Sequence, residues 1–284
     1  MEQILSLDKI SFDTIFEAFN LAFGDYEIQI DKDELKTMLT RRGFVPELSF
    51  GAFVNDRLVS FTLNGIGTHK GVKTAYDTGT GTINEYQGKG LASRIFTYSL
   101  PFLKNAGISQ YLLEVLQHND KAVSVYRKLG FETTREFNYF KQNNVEISLA
   151  SKVLKPEYFI KQTELSSQNQ MAGFMDFEPS WQNSFEAIYR CLNDFVILGA
   201  YDAGALVGYC IFEPESGDLT QIAVCKSHRR EGIASALLEE ALKYNKHDSV
   251  KVINTEISCG AITSFIESNG IPLRGKQFEM IKLF

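Results

Sequence analysis

The chain has little of what builds a cross-linked or metal-bound scaffold: of 284 residues, four are cysteine, four histidine, six proline and one tryptophan. Cys191, Cys210, Cys225 and Cys259 all lie in the second half at spacings that match no zinc or redox motif. They read as reduced packing residues, as a cytoplasmic protein would carry. His69, His118, His228 and His247 show no ligand spacing with a carboxylate or thiol, so no metal is expected and each reads as a surface or loop residue. No apolar run approaches the roughly 18 residues that mark a membrane span, and no secretory pattern opens the chain, so neither a membrane partner nor export is expected. A basic excess is missing too. Lys and Arg number 29 against 35 Asp and Glu, and the whole imbalance falls after residue 155, where 11 basic residues face 17 acidic ones. A nucleic-acid partner needs a basic surface to neutralise phosphates and is disfavoured, whereas a cationic amine suits an acidic chain.

What is present is a repeat. Apolar residues make up 44% of the chain, enough for two domains with separate cores. Gln87-Gly88-Lys89-Gly90-Leu91-Ala92 and Arg229-Arg230-Glu231-Gly232-Ile233-Ala234 share the pattern Gln/Arg-x-x-Gly-x-Ala at an offset of 142. A β-like run precedes each (Lys73 to Ile83; Asp218 to Val224). An amphipathic helix follows each, with Leu91, Ile95, Tyr98 and Phe102, and Ile233, Leu237 and Ala241, recurring every three or four positions. Both glycine turns therefore stand at helix N-termini. Backbone N–H groups there have no partner within the helix and the helix dipole adds positive charge, which suits phosphate. Side chains at the glycine positions would keep a diphosphate away from that backbone.

The likeness extends outward. Gly51-Ala52-Phe53 through Leu58-Val59 aligns with Gly199-Ala200-Tyr201 through Leu206-Val207, and both read as strand, two-residue turn (Asn55-Asp56; Ala203-Gly204), strand. Ser124 to Phe131 aligns with Ser264 to Ile271. The offset drifts from 148 to 140 along the chain, as loop-length changes between duplicated domains produce. Copy one starts with a strand, Gln3 to Leu7, and helices Phe12 to Phe23 and Asp33 to Arg42. After its glycine turn come a helix that Pro101 is expected to kink or end, a strand Gln110 to Leu116, a helix Asp120 to Leu129 and a last strand Phe137 to Gln142. Copy two starts near Tyr158 and closes with Gln277 to Phe284; Lys152 to Glu157, containing Pro156, is the expected linker. The predicted domains are 1–155 and 156–284, each an α/β (mixed α+β) arrangement of helices around one sheet.

Copy one carries a second pattern: Leu113-Glu114-Val115, then Asn119, Ala122, Tyr126, Gly130 and Phe131, an Asn-x-x-Ala-x-x-x-Tyr-x-x-x-Gly-Phe run behind a strand. With Gln87, Gly90 and Ala92, and again Arg229, Gly232 and Ala234, the chain resembles the GNAT superfamily of acyl-CoA-dependent N-acyltransferases. The resemblance takes the form of a tandem pair over nearly the whole length, least clear from Leu165 to Asp194. A glycine turn alone would be weak evidence, because several nucleotide-binding folds share it; two signatures at this spacing are specific. The resemblance implies two tandem domains, each a twisted mixed sheet flanked by helices and splayed between its fourth and fifth strands. The pantetheine arm of acetyl-CoA then lies in the gap and pairs with an exposed strand edge, and no metal is needed. In copy one that edge is Tyr76 to Ile83, where Thr78-Gly79-Thr80-Gly81-Thr82 either lets the ligand approach the backbone or marks a bulge.

By the same likeness, the coenzyme contacts in copy one are Thr80, Gly81, Thr82, Gln87, Gly88, Lys89, Gly90, Leu91, Ala92, Asn119 and Tyr126. A second coenzyme site in copy two would use Ala223, Val224, Arg229, Arg230, Glu231, Gly232, Ile233 and Ala234. Tyr126 stands where the family places the proton donor to the departing thiolate, and a phenol pKa of about 10 keeps its proton at neutral pH; the plainer reading is a helix aromatic packed on the sheet. Asn119 caps the helix that carries Tyr126 and, by resemblance, touches the coenzyme arm. Backbone N–H groups around Thr80 to Thr82 are the candidates for holding the oxyanion. Glu114 and Asp77 are both candidates for the general base, and each reads equally well as a hydrogen-bonded strand residue. Asp25-Tyr26 falls where related enzymes shape the acceptor pocket, or simply ends a helix.

Copy two departs from the pattern. Ile266 or Phe265 stands in the place of Tyr126, and Cys259 or Ser258 in that of Asn119. The expectation is therefore chemistry in the N-terminal copy and a degenerate C-terminal copy that either keeps coenzyme binding or serves as a structural half. The whole chain reads as an acetyl-CoA-dependent N-acetyltransferase acting on a primary amine of a small molecule or protein, as a monomer or homodimer. The alternative is a non-catalytic acyl-CoA-binding or sensing protein, which has no need of a phenol at position 126.

Overall fold

The computed structural model describes residues 2–24, 30–150, 154–155 and 157–284. Asp25-Tyr26 and much of the expected linker (Lys152, Val153 and Pro156) lie outside the described residues. The protein is a mixed α/β fold, and its internal contacts divide it into two compact units.

The first unit comprises Met1–Val115, Asn119–Thr134 and Glu279–Phe284. It holds β1 (Glu2–Ser6), α1 (Phe12–Phe23), α2 (Lys32–Arg42), β2 (Phe50–Val54), β3 (Arg57–His69), β4 (Val72–Thr82), α3 (Leu91–Asn105), β5 (Gln110–Leu116) and α4 (Asp120–Lys128), with strands ordered β1-β2-β3-β4-β5. Local chemistry explains the boundaries. Ser11 caps α1 by accepting from the Thr14 amide, and α2 opens on a capping box between Asp31 and Glu34 and stops at Gly43, which turns left-handed at φ 78°. Asn55 and Asp56 both take positive φ, the primed turn that matches the twist of a β2–β3 hairpin.

Two expectations need correcting here. Of the two effects expected of Pro101, ending the helix does not occur, because α3 runs on to Asn105. Pro101 and Thr97, whose carbonyl would have been its partner, both face solvent, where that carbonyl is not left buried without a donor. His69 is not a loop or surface residue; it is the last residue of β3 and is buried.

The second unit comprises Leu116–His118 and Arg135–Phe278. Its elements are β6 (Glu132–Asn143), β7 (Tyr158–Gln162), α5 (Gln168–Ala172), α6 (Phe185–Arg190), β8 (Val196–Asp202), β9 (Ala205–Glu213), β10 (Asp218–Val224), α7 (Ile233–Leu242), β11 (Ser249–Glu256), α8 (Gly260–Ser268) and β12 (Leu273–Leu283), with strands ordered β12-β6-β11-β10-β9-β8-β7. The stretch from 165 to 194, unreadable by periodicity, consists of two very short helices and single 3-10 turns. Leu165, Met171, Phe174 and Ile188 in it bury against Ile197, Tyr209 and Ile211.

Linear halves and compact units do not coincide. β6, the closing strand of copy one, pairs antiparallel with β11 from Phe137↔Glu256 to Asn143↔Ser249, inside the second unit. Residues 279–284, the end of copy two, belong to the first unit, where the Phe284 amide donates to the Ser109 carbonyl at 3.0 Å and Met280 is fully buried. The second unit thus takes in most of the closing strand of copy one, and the first unit takes in the final residues of copy two.

Candidate active site

In the first unit the fourth and fifth strands separate. β4 and β5 pair in parallel only at Thr74↔Gln110, Ala75↔Tyr111 and Tyr76↔Leu112, and beyond Tyr76 the edge of β4 has no β5 partner. The second unit repeats this, with a single parallel pair, Asp218↔Lys251, before β10 and β11 part. Along β4 the register with β3 slips between Leu63↔Gly79 and Asn64↔Asp77, leaving Thr78 as the extra residue of a bulge. The Thr78 hydroxyl donates to the Leu63 carbonyl at 2.8 Å, and its own carbonyl accepts from Arg42 at 2.9 Å. Of the two readings of this glycine-rich strand, the bulge is present. Gly81 has a separate reason to be glycine: a Cβ there would lie 2.5 Å from the Phe61 ring and 3.0 Å from Ala22, so its missing side chain lets α1 pack on β4.

Asp77 is the first residue past the split, and two hydroxyls converge on it. The Tyr126 hydroxyl donates to Asp77 Oδ2 at 3.1 Å and the Thr80 hydroxyl donates to the same oxygen at 2.8 Å, while Oδ1 is buried and has no partner among the described residues. Burial pushes the Asp77 carboxyl above its ordinary range; hydrogen bonds from Thr80, Tyr126 and the Gly79 amide, and the Arg42 charge, pull the other way without cancelling it. Glu114 is held differently, accepting from the Tyr76 hydroxyl at 3.1 Å, and burial, then the Glu114 charge, holds the Tyr76 phenol well above its usual range. The structure thus joins Tyr126 to Asp77 and places Glu114 against a tyrosine that sequence reasoning did not single out. Arg42 was also missed, and no local signal marks it, since it ends α2 far upstream in the chain.

Tyr126 owes its position to α4. Asn119 caps that helix as expected, its Oδ1 accepting from the Ala122 amide at 3.2 Å, and the Phe131 ring lies edge-on to Tyr126 at 5.6 Å. At the glycine turn, Gly88 and Gly90 take φ values of 74° and 71°, and nothing lies within 4 Å of where either Cβ would be. Gly90 begins α3 without any side-chain cap, so the first-turn amides are open, as a diphosphate requires. Gln87 donates to Asn84 Oδ1 at 2.8 Å and the Lys89 ammonium sits over the Tyr86 ring at 4.6 Å.

Copy two reproduces the backbone of this turn, with Arg230 at φ 67° and Gly232 at φ 88°. Of its eight expected coenzyme residues, all but Glu231 line a cavity of about 700 Å³ that follows the β10–β11 split. Glu231 instead pairs with Lys155 at 2.8 Å and accepts from Tyr158, while Arg229 bonds the Val224 and Phe174 carbonyls and Asp176. Phe265 and Cys259 line the cavity and Ile266 is fully buried, so neither side chain aligned with Tyr126 offers a hydroxyl. Among the described residues no helix is long and apolar enough to cross a membrane, and no cluster of three His, Cys, Asp or Glu could hold a metal.

Comparison with known proteins decides the family. Residues 12–131 match the Acetyltransferase (GNAT) family and residues 193–270 the Acetyltransferase (GNAT) domain. N-alpha-acetyltransferase 30 of Schizosaccharomyces pombe is 34% identical over 108 residues, 37% of this chain and 72% of the yeast protein. The chain belongs to the GNAT family. It is an acetyltransferase with tandem GNAT domains. N-alpha-acetyltransferase MAK3 of Arabidopsis thaliana is 26% identical over 137 residues, 47% of this chain and 72% of the plant protein. A tandem GNAT protein from the clavulanic acid biosynthesis pathway shares the fold at a TM-score of 0.77 and 10% identity, covering 100% of this chain and 98% of its own. A GCN5-related N-acetyltransferase from Sphaerobacter thermophilus does so at 0.73 and 12%, covering 99% and 95%.

The raised Asp77 carboxyl in this GNAT site gives a pH signature. A carboxyl whose folded pKa exceeds its unfolded value favours folding at pH below the unfolded pKa, and that advantage disappears as pH rises through the folded pKa. Asp77→Asn removes the charge while leaving an acceptor for Tyr126. The variant is therefore expected to be more stable than the parent at neutral and alkaline pH, by on the order of 1 kcal/mol, with the difference shrinking toward acid. Urea unfolding at several pH values measures it; an equal or larger gain under acid would contradict the assignment.

Proposed function

We propose that the first unit transfers an acetyl group from acetyl-CoA to a primary amine by direct attack of the amine on the thioester. The observation that carries this reading is the Tyr126 phenol fixed to Asp77 where β4 and β5 part, in the same unit as an uncapped α3 N-terminus. The open amides of Gly88 to Ala92 hold the diphosphate. Backbone N–H groups past the bulge, from Thr80 to Thr82, face the developing oxyanion and need no rearrangement during reaction. As the carbon–sulfur bond breaks, the thiolate takes the Tyr126 proton, and Asp77, whose burial favours its protonated form, restores it. Glu114 takes the proton that the attacking amine loses, directly or through one water. The names of the yeast and plant relatives support the α-amine of a protein N-terminus as acceptor, ahead of a small-molecule amine. Free thiols at all four cysteines support a reducing compartment such as the cytoplasm.

In this reading 1–155 and 156–284 are duplicated domains, and the second is catalytically silent because no hydroxyl stands where Tyr126 does in the first. The cavity beside the second glycine turn favours a further role for that domain, binding of acyl-CoA without turnover. Two measurements test the whole. Thiol release from acetyl-CoA is expected with α-amino peptides in a panel that also holds polyamines, aminoglycosides and free amino acids; no release with any amine would sink the catalytic assignment. Titration calorimetry with coenzyme A is expected to give two sites per chain, and a single site would reduce the second domain to a scaffold.

A further inference from the structure

A run of reactive side chains sits just ahead of the second glycine turn, and acetyl transfer in the first unit has no use for it. Cys225 follows β10, its amide donating to the Val207 carbonyl at 2.8 Å. Its Sγ lies 3.3 Å from Ser227 Oγ, which lies 2.8 Å from His228 Nδ1, and Nε2 of that imidazole faces Asp202 Oδ2 at 3.5 Å. One set of donors satisfies the whole chain: Nδ1–H donates to Ser227, the Ser227 hydroxyl donates to the sulfur, and Nε2–H donates to Asp202. A thiolate at one end and an imidazolium at the other fit that polarity. Nucleophile, base and orienting carboxylate are the parts of an activated nucleophile, here with a serine as the link.

The surroundings agree. The Tyr158 ring stands edge-on to His228 at 6.2 Å, and Glu231, paired with Lys155, acts on the same imidazole. Arg229 is paired with Asp176, while Lys226 and Arg230 are exposed. Hydrogen bonding from Ser227, then from His228, lowers the Cys225 thiol to about 7. Cys191 and Cys210 are buried, and burial pushes the Cys210 thiol upward; Cys225 is half-exposed, with one flank against the apolar cluster around Tyr209 and the other toward solvent.

We propose that Cys225 is a thiol–disulfide exchange site for low-molecular-weight disulfides, with Ser227, His228 and Asp202 taking up the thiol proton. The Cys225 sulfur bonds one sulfur of R–S–S–R, the original S–S bond breaks, and the expelled thiolate leaves as R–SH with the proton that His228 returns. One mixed disulfide and one thiol form for each disulfide consumed, and the disulfide is the oxidant. Val224, His228 and Arg229, close to Cys225 in the chain, line the cavity, so exchange is expected to alter access to it whether or not acyl-CoA is its ligand.

Oxidised glutathione on the intact chain is the probe, with peptide mass spectrometry to locate adducts and rates followed across about pH 5.5 to 9.5. At neutral pH Cys225 is expected to react about fivefold faster than half-exposed Cys259. The larger thiolate fraction is partly offset by the weaker nucleophilicity of a low-pKa sulfur. Its rate profile should have a midpoint near 7. Ser227→Ala and His228→Ala should each move that midpoint upward by about one unit and slow exchange at neutral pH, and Cys225→Ser should remove the fast phase. Ser227 is exposed, so its alanine variant stays informative if loss of His228 disturbs the turn. Equal rates at Cys225 and Cys259, or a midpoint that neither variant moves, would overturn the proposal.

Discussion

Tyr126→Phe is expected to lower the rate of acetyl transfer by about 100- to 10,000-fold, the usual range for a positioned proton donor, while KM for acetyl-CoA changes by less than about threefold. The asymmetry follows from geometry. The diphosphate turn belongs to α3 and the bulge to β4, so the substitution leaves both intact and removes only the hydroxyl that reaches Asp77. Without that donor the buried carboxyl keeps Thr80 and the Gly79 amide, and its pKa moves further up. The ring still packs edge-on against Phe131, so the fold should survive. Initial rates of thiol release, read beside a melting curve, decide the matter. A variant that turns over within about threefold of the parent would make Tyr126 a packing residue and leave the departing thiolate without its donor.

Removing residues 279–284 is expected to unfold the first unit while the second stays folded. These six residues lie in the first unit, bury Glu279 and Met280 completely, and bring Glu279 Oε1 within 2.9 Å of the Thr134 hydroxyl and the Phe284 amide to the Ser109 carbonyl. Loss of one buried methionine side chain costs about 2–5 kcal/mol, and an unpaired β5 edge adds to it, against a total domain stability of about 5–15 kcal/mol. Hydrogen exchange resolved by residue should show protection lost across β1 to β5 and retained across β7 to β11, with acetyl transfer abolished. Met280→Ala gives the graded version, a loss of about 2–5 kcal/mol without truncation. A shortened chain that keeps full protection in the first unit would show that the strand is dispensable. For the same reason residues 1–155, made alone, should aggregate through β5.

The parts of the site that follow from neighbours in sequence were readable from residue order. The glycine turns came from the repeated Gln/Arg-x-x-Gly-x-Ala pattern and helix periodicity, the two hairpins from Asn55-Asp56 and Ala203-Gly204, and the Asn119 cap from its place one residue before α4. Asp77 was legible only as one of two candidates, because strand position alone does not say which carboxylate a phenol 49 residues away will reach. Tyr76 and Arg42 carried no signal at all; their roles come from which strands and helix ends the fold brings together. Cys225 carries no signal in motif spacing, which counts thiols and ligands, whereas the contact of His228 with Asp202 depends on where β8 is placed.

Residue order alone determined that the chain contains two copies of one α/β unit, with a phosphate-suited turn in each and a tyrosine in the first that the second lacks. Only the tertiary structure decided which segments complete each unit, which carboxylate receives the phenol, and that a cavity of about 700 Å³ lies beside the second turn. The division has a physical cause. Caps, turns and helix starts are settled by interactions over a few residues, whereas strand exchange and a buried hydrogen bond depend on contacts whose partners are far apart in the chain. Those contacts form only once the apolar faces of the helices and strands have closed.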